Sequence, residues 1–364
     1  WVPAQKLLGA SHLLAAAFML AAGLYGLNTD NGISFSVFFT LYTLSVAFYM
    51  PTLALSNSVA YTILERGGMD TVRAFPPIRV FGTVGFICTM WLDDVIGYQT
   101  SAMQFVVSAA IGIILAAYAF TLPNCPVSTD TKDKTLFQAL GLDAFKLFRQ
   151  RKMALFFIFS MFLGISLQIT NGFANPFIAS FEAIHQYANT FGVQHANILI
   201  SLSQISEALC ILLIPFFLKR YGIKKVMLIA MIAWVLRFGF FGIGNPGNGV
   251  WLLILSMLVY GVAFDFFNVS GSLFVDKETP HHIRASAQGM FMLMTNGIGA
   301  TVGTLGAQWV VNQFTHWQDV VVEGQTKSLM VGDWQSVWFV FAGYALLVAL
   351  LFALLFRYKH ERTP

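Results

Sequence analysis

The sequence predicts an all-α integral membrane protein, ten membrane-spanning helices joined mostly by short connections. Three observations predict it. Of the 364 residues, 57% are hydrophobic and only 10% are charged, where soluble domains carry about 25% charged residues. The mean hydropathy is +0.69. The apolar residues fall into long runs, and a helix needs about 20 residues to cross a bilayer. A net charge of +4 points to no nucleic-acid partner, because the basic residues share no single solvated face. Cys88, Cys125 and Cys210 form no CxxC and no paired framework, so neither a metal site nor a disulfide scaffold is expected.

Taken in order, the apolar runs are 6–26, 33–56, 77–96, 102–122, 153–179, 194–217, 226–245, 250–274, 285–312 and 334–357. The outlying connection is 123–152, polar at first and then basic and amphipathic. Ala139, Leu140, Leu142, Phe145, Leu147 and Phe148 are expected to form a helix on the membrane surface. This segment divides the chain into an N-terminal part, 1–122, and a C-terminal part, 153–364. Ten crossings put both ends on one side. That side then carries every Lys and Arg except Lys327 on the other side and Arg79 and Arg237 within spans. Positive residues accumulate on the cytoplasmic side, so both ends are expected to be cytoplasmic.

The two parts echo one another. Val46-Ala47-Phe48-Tyr49 matches Val262-Ala263-Phe264-Asp265, and the run 78–86 echoes 283–291, each pair at the same helical offset. A repeat of six helices in parallel orientation is the plan of the major facilitator superfamily. On that plan Trp1–Leu8 matches the loop at Lys219–Leu228. The chain is then expected to begin between the second and third of twelve helices, with the first two outside this sequence.

Polar residues lie deep in four of the runs, at same-face spacing. Arg79, Thr83 and Phe86 lie in the run 77–96, behind Pro76-Pro77, which are expected to mark the helix entry. Gln168 and Asn171 lie in 153–179, ahead of Gly172 and Pro176. Gln204 and Glu207 lie in 194–217, and Tyr260, Phe264 and Asp265 in 250–274. Four such faces predict a common wet cavity. Amide side chains offer two donors and an acceptor, which suits base edges and sugar hydroxyls. The rings of Phe86, Tyr260 and Phe264 could stack on a base, a contact worth about 1–3 kcal/mol. Glu207 could accept from ribose hydroxyls. The amides alone fit a nucleoside or a sugar; the aromatics favour the nucleoside. A carboxylate at the bilayer centre costs about 2.5–3.5 kcal/mol, so Glu207 and Asp265 are candidates for proton coupling. Asp265 follows Phe264 by one residue, about 100° around the helix, and is expected to face a neighbouring helix as a switch. Arg237 is either a counter-charge for one acid or a structural arginine. His12 is either a proton relay or a packed histidine. Thr295 and Asn296 stand among Gly297, Gly299 and Gly303, where small residues admit close helix packing. No catalytic constellation and no ATP-binding loop is present in the sequence, so concentrating work must draw on an ion gradient.

The runs Ala74–Thr83, Leu167–Asn171, Ser203–Glu207, Ala263–Asn268 and Arg284–Phe291 resemble the bacterial nucleoside:proton symporters of the major facilitator superfamily, along essentially the whole chain. The resemblance implies a twelve-helix, proton-driven carrier of purine and pyrimidine nucleosides in the bacterial inner membrane.

 It implies a monomer that needs no cofactor, whose partners are nucleosides, protons and the lipid bilayer. Carried over residue by residue, the nucleoside site falls on Arg79, Thr83, Phe86, Gln168, Asn171, Gln204, Glu207, Tyr260 and Phe264, with Asp265 in coupling or switching. A proton-coupled sugar carrier, and a membrane receptor that transports nothing, are the rival readings.

Overall fold

The computed structural model describes residues 2–28, 32–69, 71–98, 101–125, 142–280, 283–322 and 325–358. The chain forms two compact units, Trp1–Asp133 and Lys134–Pro364.

The first unit holds α1 (Ala4–Leu27), α2 (Phe35–Arg66), α3 (Thr71–Ile96) and α4 (Met103–Thr121). Lipid tails are as apolar as the helices, so helices associate in a membrane through close packing of small residues. Here Ala15, Ala16 and Ala22 of α1 and Ala109, Ala116 and Ala119 of α4 are buried. A Cβ added at Gly23 would come within 2.9 Å of Val106, and one at Gly112 within 3.0 Å of Ala16. Ser45 of α2 donates to the Ala15 carbonyl at 2.8 Å. Helix α3 begins at Thr71, so Pro76 and Pro77 lie inside it rather than at its entry. The polar turn Thr71–Arg73 carries no hydropathy signal, which is why the apolar run began later.

The second unit opens with a 3-10 helix, Leu142–Arg149. It is followed by α5 (Arg151–Ser180), α6 (Ala196–Tyr221), α7 (Ile223–Ile243) and α8 (Val250–Glu278). Next come α9 (Arg284–Met292), a π-helical stretch (Leu293–Gly299) and α10 (Ala300–Phe314). A hairpin of β1 (Thr315–Val322) and β2 (Gln325–Gly332) precedes α11 (Trp334–Leu355). The core is aromatic, with Phe156, Phe157, Trp234, Phe238, Phe241, Phe267 and Trp338 fully buried. Two backbone crossings set its geometry. A Cβ at Gly164 of α5 would lie 2.1 Å from the Thr295 carbonyl oxygen in the π stretch. One at Gly261 of α8 would lie 2.5 Å from the Ser206 carbonyl oxygen of α6.

Eight of these helices are long and apolar enough to cross a membrane. The other two predicted spans are helical as well. Helix α3 carries Arg73, Arg79, Asp93 and Asp94, and the span 285–312 is broken by the π stretch. The structure departs from the all-α expectation at the hairpin, which pairs Thr315 with Gly332 and Val322 with Gln325 in antiparallel register. Its strands mix polar and apolar residues, so hydropathy alone reads them as loop. The expected surface helix also differs. Ala139 and Leu140 lie outside the described residues. The 3-10 helix that follows buries Ala144 and Leu147 in the unit's own core and leaves Phe145 exposed.

Candidate functional site

The predicted residues of the second unit lie on three helices that meet one another. On α5, Gln168 is half-buried, and Asn171, Gly172 and Asn175 are exposed. Their spacing of three, four and seven residues places them on one face, while Leu167, Ile169, Thr170 and Phe173 are buried behind it. Asn175 is absent from the sequence-derived set, although its i, i+4 spacing from Asn171 was a usable signal. A Cβ at Gly303 of α10 would meet the Gln168 Cβ at 3.2 Å, so α10 supports this face from the side.

On α6 the serines and the larger polar residues divide the work. Ser203 and Ser206 are buried: Ser203 reaches the Met257 Sδ at 3.1 Å, and Ser206 donates to the Leu258 carbonyl. Those contacts, with the Gly261 crossing, lock α6 against α8. Gln204 and Glu207 lie on the adjoining half-buried face.

On α8, Tyr260 and Phe264 stack with centroids 5.8 Å apart and planes 9° from parallel. Trp234 of α7 meets Tyr260 edge-on at 6.0 Å. Tyr260 is only 6% exposed, so most of its ring is spent on packing, and Phe264 has the freer face. Asp265 is buried and lies four residues, about one helical turn, after Gly261, where α8 crosses the Ser206 backbone of α6. Asp265 therefore belongs to the α6–α8 seam. Arg237 pairs with no acidic side chain among the described residues, so the counter-charge expectation gives way to the structural one. Its guanidinium lies 4.6 Å from the Tyr260 ring centroid.

In the first unit, Thr83 is half-buried and Phe86 is exposed on α3, whose side the glycines Gly82 and Gly85 leave open. Arg79 lies in α3, but its side chain is outside the described residues. His12 is buried and meets Tyr49 edge-on at 6.1 Å.

A cavity of ≈ 460 Å³ opens elsewhere in the second unit, where α5 and α7 end and α11 begins. Phe177, Phe181, Asn245, Asp333 and Gln335 are among its lining residues, and none of the predicted site residues is. Its rings pack on one another, Phe177 against Trp334 at 5.6 Å, and the charged Asp333 caps α11 by accepting from the Ser336 N–H at 3.0 Å. These groups are already committed to closing the helix ends.

What decides between the rival readings is comparison with known proteins. The nucleoside H+ symporter family matches residues 1–361. This chain belongs to that family. It is 51% identical to the nucleoside permease NupG of Escherichia coli (strain K12) over 317 residues, 87% of this chain and 73% of the permease. It is 47% identical to the xanthosine permease of the same organism over 362 residues, 99% of this chain and 82% of that one. A crystal structure of the nucleoside transporter NupG superposes with a TM-score of 0.84 at 46% identity, covering 99% of this chain and 84% of that one. The family's members here are permeases, so this symporter-family chain is a membrane transport protein and not an enzyme.

Proposed function

We propose that this chain carries nucleosides into the bacterial cell across the inner membrane, each with a proton, by alternating access. The observation that carries the proposal is the face built by α5, α6 and α8, set in a chain of the nucleoside H+ symporter family. On that face the amides of Gln168, Asn171 and Gln204 provide paired donors and acceptors for a base edge and sugar hydroxyls. Phe264, backed by Tyr260, offers a ring for stacking. Glu207 accepts from the ribose. Arg79, Thr83 and Phe86 on α3 are proposed as further contacts. Asp265 sits in the α6–α8 seam beside the face, where loss or gain of a proton would change how the two helices hold together. The division of the chain is read as a helical part over 1–122, a linker over 123–152 and a second helical part over 153–364. Ten crossings are proposed, the eight apolar helices together with α3 and the α9–α10 rod. Both ends are then cytoplasmic by the distribution of Lys and Arg. The carrier is proposed to work as a monomer, with the proton gradient as its energy source and no cofactor.

Uptake of radiolabelled uridine and adenosine into proteoliposomes tests this, with and without an imposed inward proton gradient. Accumulation should follow the gradient and collapse with a protonophore. Uptake that ignores the gradient overturns proton coupling. If neither nucleoside enters, and neither competes with xanthosine, the common-nucleoside reading fails. Xanthosine is the second substrate reading, because the xanthosine permease matches 99% of this chain. Xanthosine uptake that a hundredfold excess of uridine leaves unchanged would establish it.

A further inference from the structure

Arg237 is 1% exposed, inside a helix that crosses the membrane, and it cannot reach a ligand on the exposed face. An ionised side chain at that depth is costly and needs compensation. No carboxylate supplies it among the described residues. The guanidinium instead contacts each of the three helices that bear the proposed site. Its Nε donates to the Thr170 hydroxyl of α5 at 3.3 Å. Its Nη1 donates to the Ser203 hydroxyl of α6 at 3.4 Å and to the Ser256 carbonyl of α8 at 2.6 Å. Ser256 in turn donates to the Arg237 carbonyl at 2.9 Å. The cation lies over two rings, Tyr260 at 4.6 Å and Phe241 at 5.1 Å.

Each anchor is a sequence neighbour of a proposed contact residue. Thr170 precedes Asn171, Ser203 precedes Gln204, and Ser256 lies one turn before Tyr260. A planar guanidinium can donate in several fixed directions at once, which a lysine ammonium on its flexible stem does not reproduce. From these contacts we infer that Arg237 is a positioning residue of the nucleoside site, acting from behind through Tyr260. It holds the Tyr260 ring by its cation–π contact, and it keeps α5, α6 and α8 in the register that presents their polar groups together. The inference rests on the nucleoside reading above.

The test is equilibrium binding of labelled uridine to the purified full chain in detergent, with proteoliposome uptake in parallel. The variants are Arg237→Lys, Arg237→Met, Tyr260→Leu and the Arg237→Met/Tyr260→Leu pair. Loss of a desolvated cation–π contact predicts binding about tenfold weaker in Arg237→Met. The uptake KM should rise in step while the maximal rate stays within about twofold. Arg237→Lys keeps the charge but not the fork, and should fall between Met and the parent. Adding Arg237→Met to Tyr260→Leu should weaken binding by clearly less than the two single losses combined, since residues in contact are non-additive, the remainder being the register that Thr170, Ser203 and Ser256 hold. A residue that only stabilises the fold would lower the melting temperature and the yield without this coupling to Tyr260. Parental affinity in Arg237→Met, or losses that simply add, overturns the inference. Where the Arg237 variants fail to fold, Thr170→Val and Ser203→Ala decide: each removes one anchor and should weaken binding two- to threefold, by the modest net worth of one hydrogen bond. Parental affinity in both then overturns it. If the parent chain binds no nucleoside, the substrate reading fails and this inference falls with it; if the parent binds and the variants do not differ, only this inference falls.

Discussion

Replacing Gly261 by alanine should impair transport out of proportion to its size. The new Cβ would stand 2.5 Å from the Ser206 carbonyl oxygen, 2.6 Å from its carbon and 2.8 Å from the Glu207 nitrogen. All three are backbone atoms, so no rotamer change relieves the clash. Restoring ordinary contact, which begins at 3.4 Å, moves α6 and α8 apart by about 0.9 Å, the difference between those two distances. Overpacking of this kind costs about 1–3 kcal/mol. The same shift breaks the Ser206 bond to the Leu258 carbonyl and carries Gln204 and Glu207 away from Tyr260 and Phe264. A displacement of about 1 Å in a positioned group can reduce a rate about a hundredfold. The expected result is nucleoside uptake reduced at least tenfold in a protein that still inserts and purifies as a single species, with a lowered melting temperature. Uptake and melting equal to the parent would refute the tight crossing and the argument built on it.

Three further outcomes follow from the proposed site. Glu207→Gln keeps the shape of the side chain but removes its charge, and a hydrogen bond to a charged group is worth about 1.5–3 kcal/mol; nucleoside binding should weaken about tenfold or more, measured by equilibrium binding. Asp265→Asn should leave uridine binding within about threefold while gradient-driven accumulation is lost, because Asp265 lies in the α6–α8 seam and not on the exposed face; intact accumulation against a gradient would refute its switching role. Lys327 pairs with Glu182 at 2.7 Å and ties β2 to the turn after α5. Partly exposed pairs contribute about 0–1 kcal/mol, so Lys327→Ala should shift the melting temperature by only a degree or two and leave uptake near parental.

Much of the architecture was legible in the chain because hydropathy is a local property. A run such as 226–245 reads as membrane-spanning whatever surrounds it, since the bilayer imposes one requirement on every crossing helix. The positions of Gln168, Asn171, Gln204 and Glu207 were legible for the same reason: polar groups stand out in an apolar run, and helical spacing assigns them a face. The hairpin was not legible. Its pairing of Trp317 with Met330 and Asp319 with Ser328 needs both strands at once, and neither strand carries a distinctive signal. The π stretch at Leu293–Gly299 was equally hidden, because a shift of the backbone hydrogen bonds from i+4 to i+5 leaves no mark in hydropathy.

The amino-acid order was enough to specify a helical membrane protein, its apolar runs and the polar faces within them, each of these being written in residues close together along the chain. The packed molecule was needed for the rest. Tyr260 reads from the sequence as an exposed stacking ring, yet it is largely enclosed by Trp234, Phe264 and Arg237. Arg237 reads as a lone charge, yet its partners Thr170, Ser203 and Ser256 come from three other helices. Contacts between residues so distant in sequence exist only once the helices have met, so burial and partnership at this site are properties of the tertiary fold.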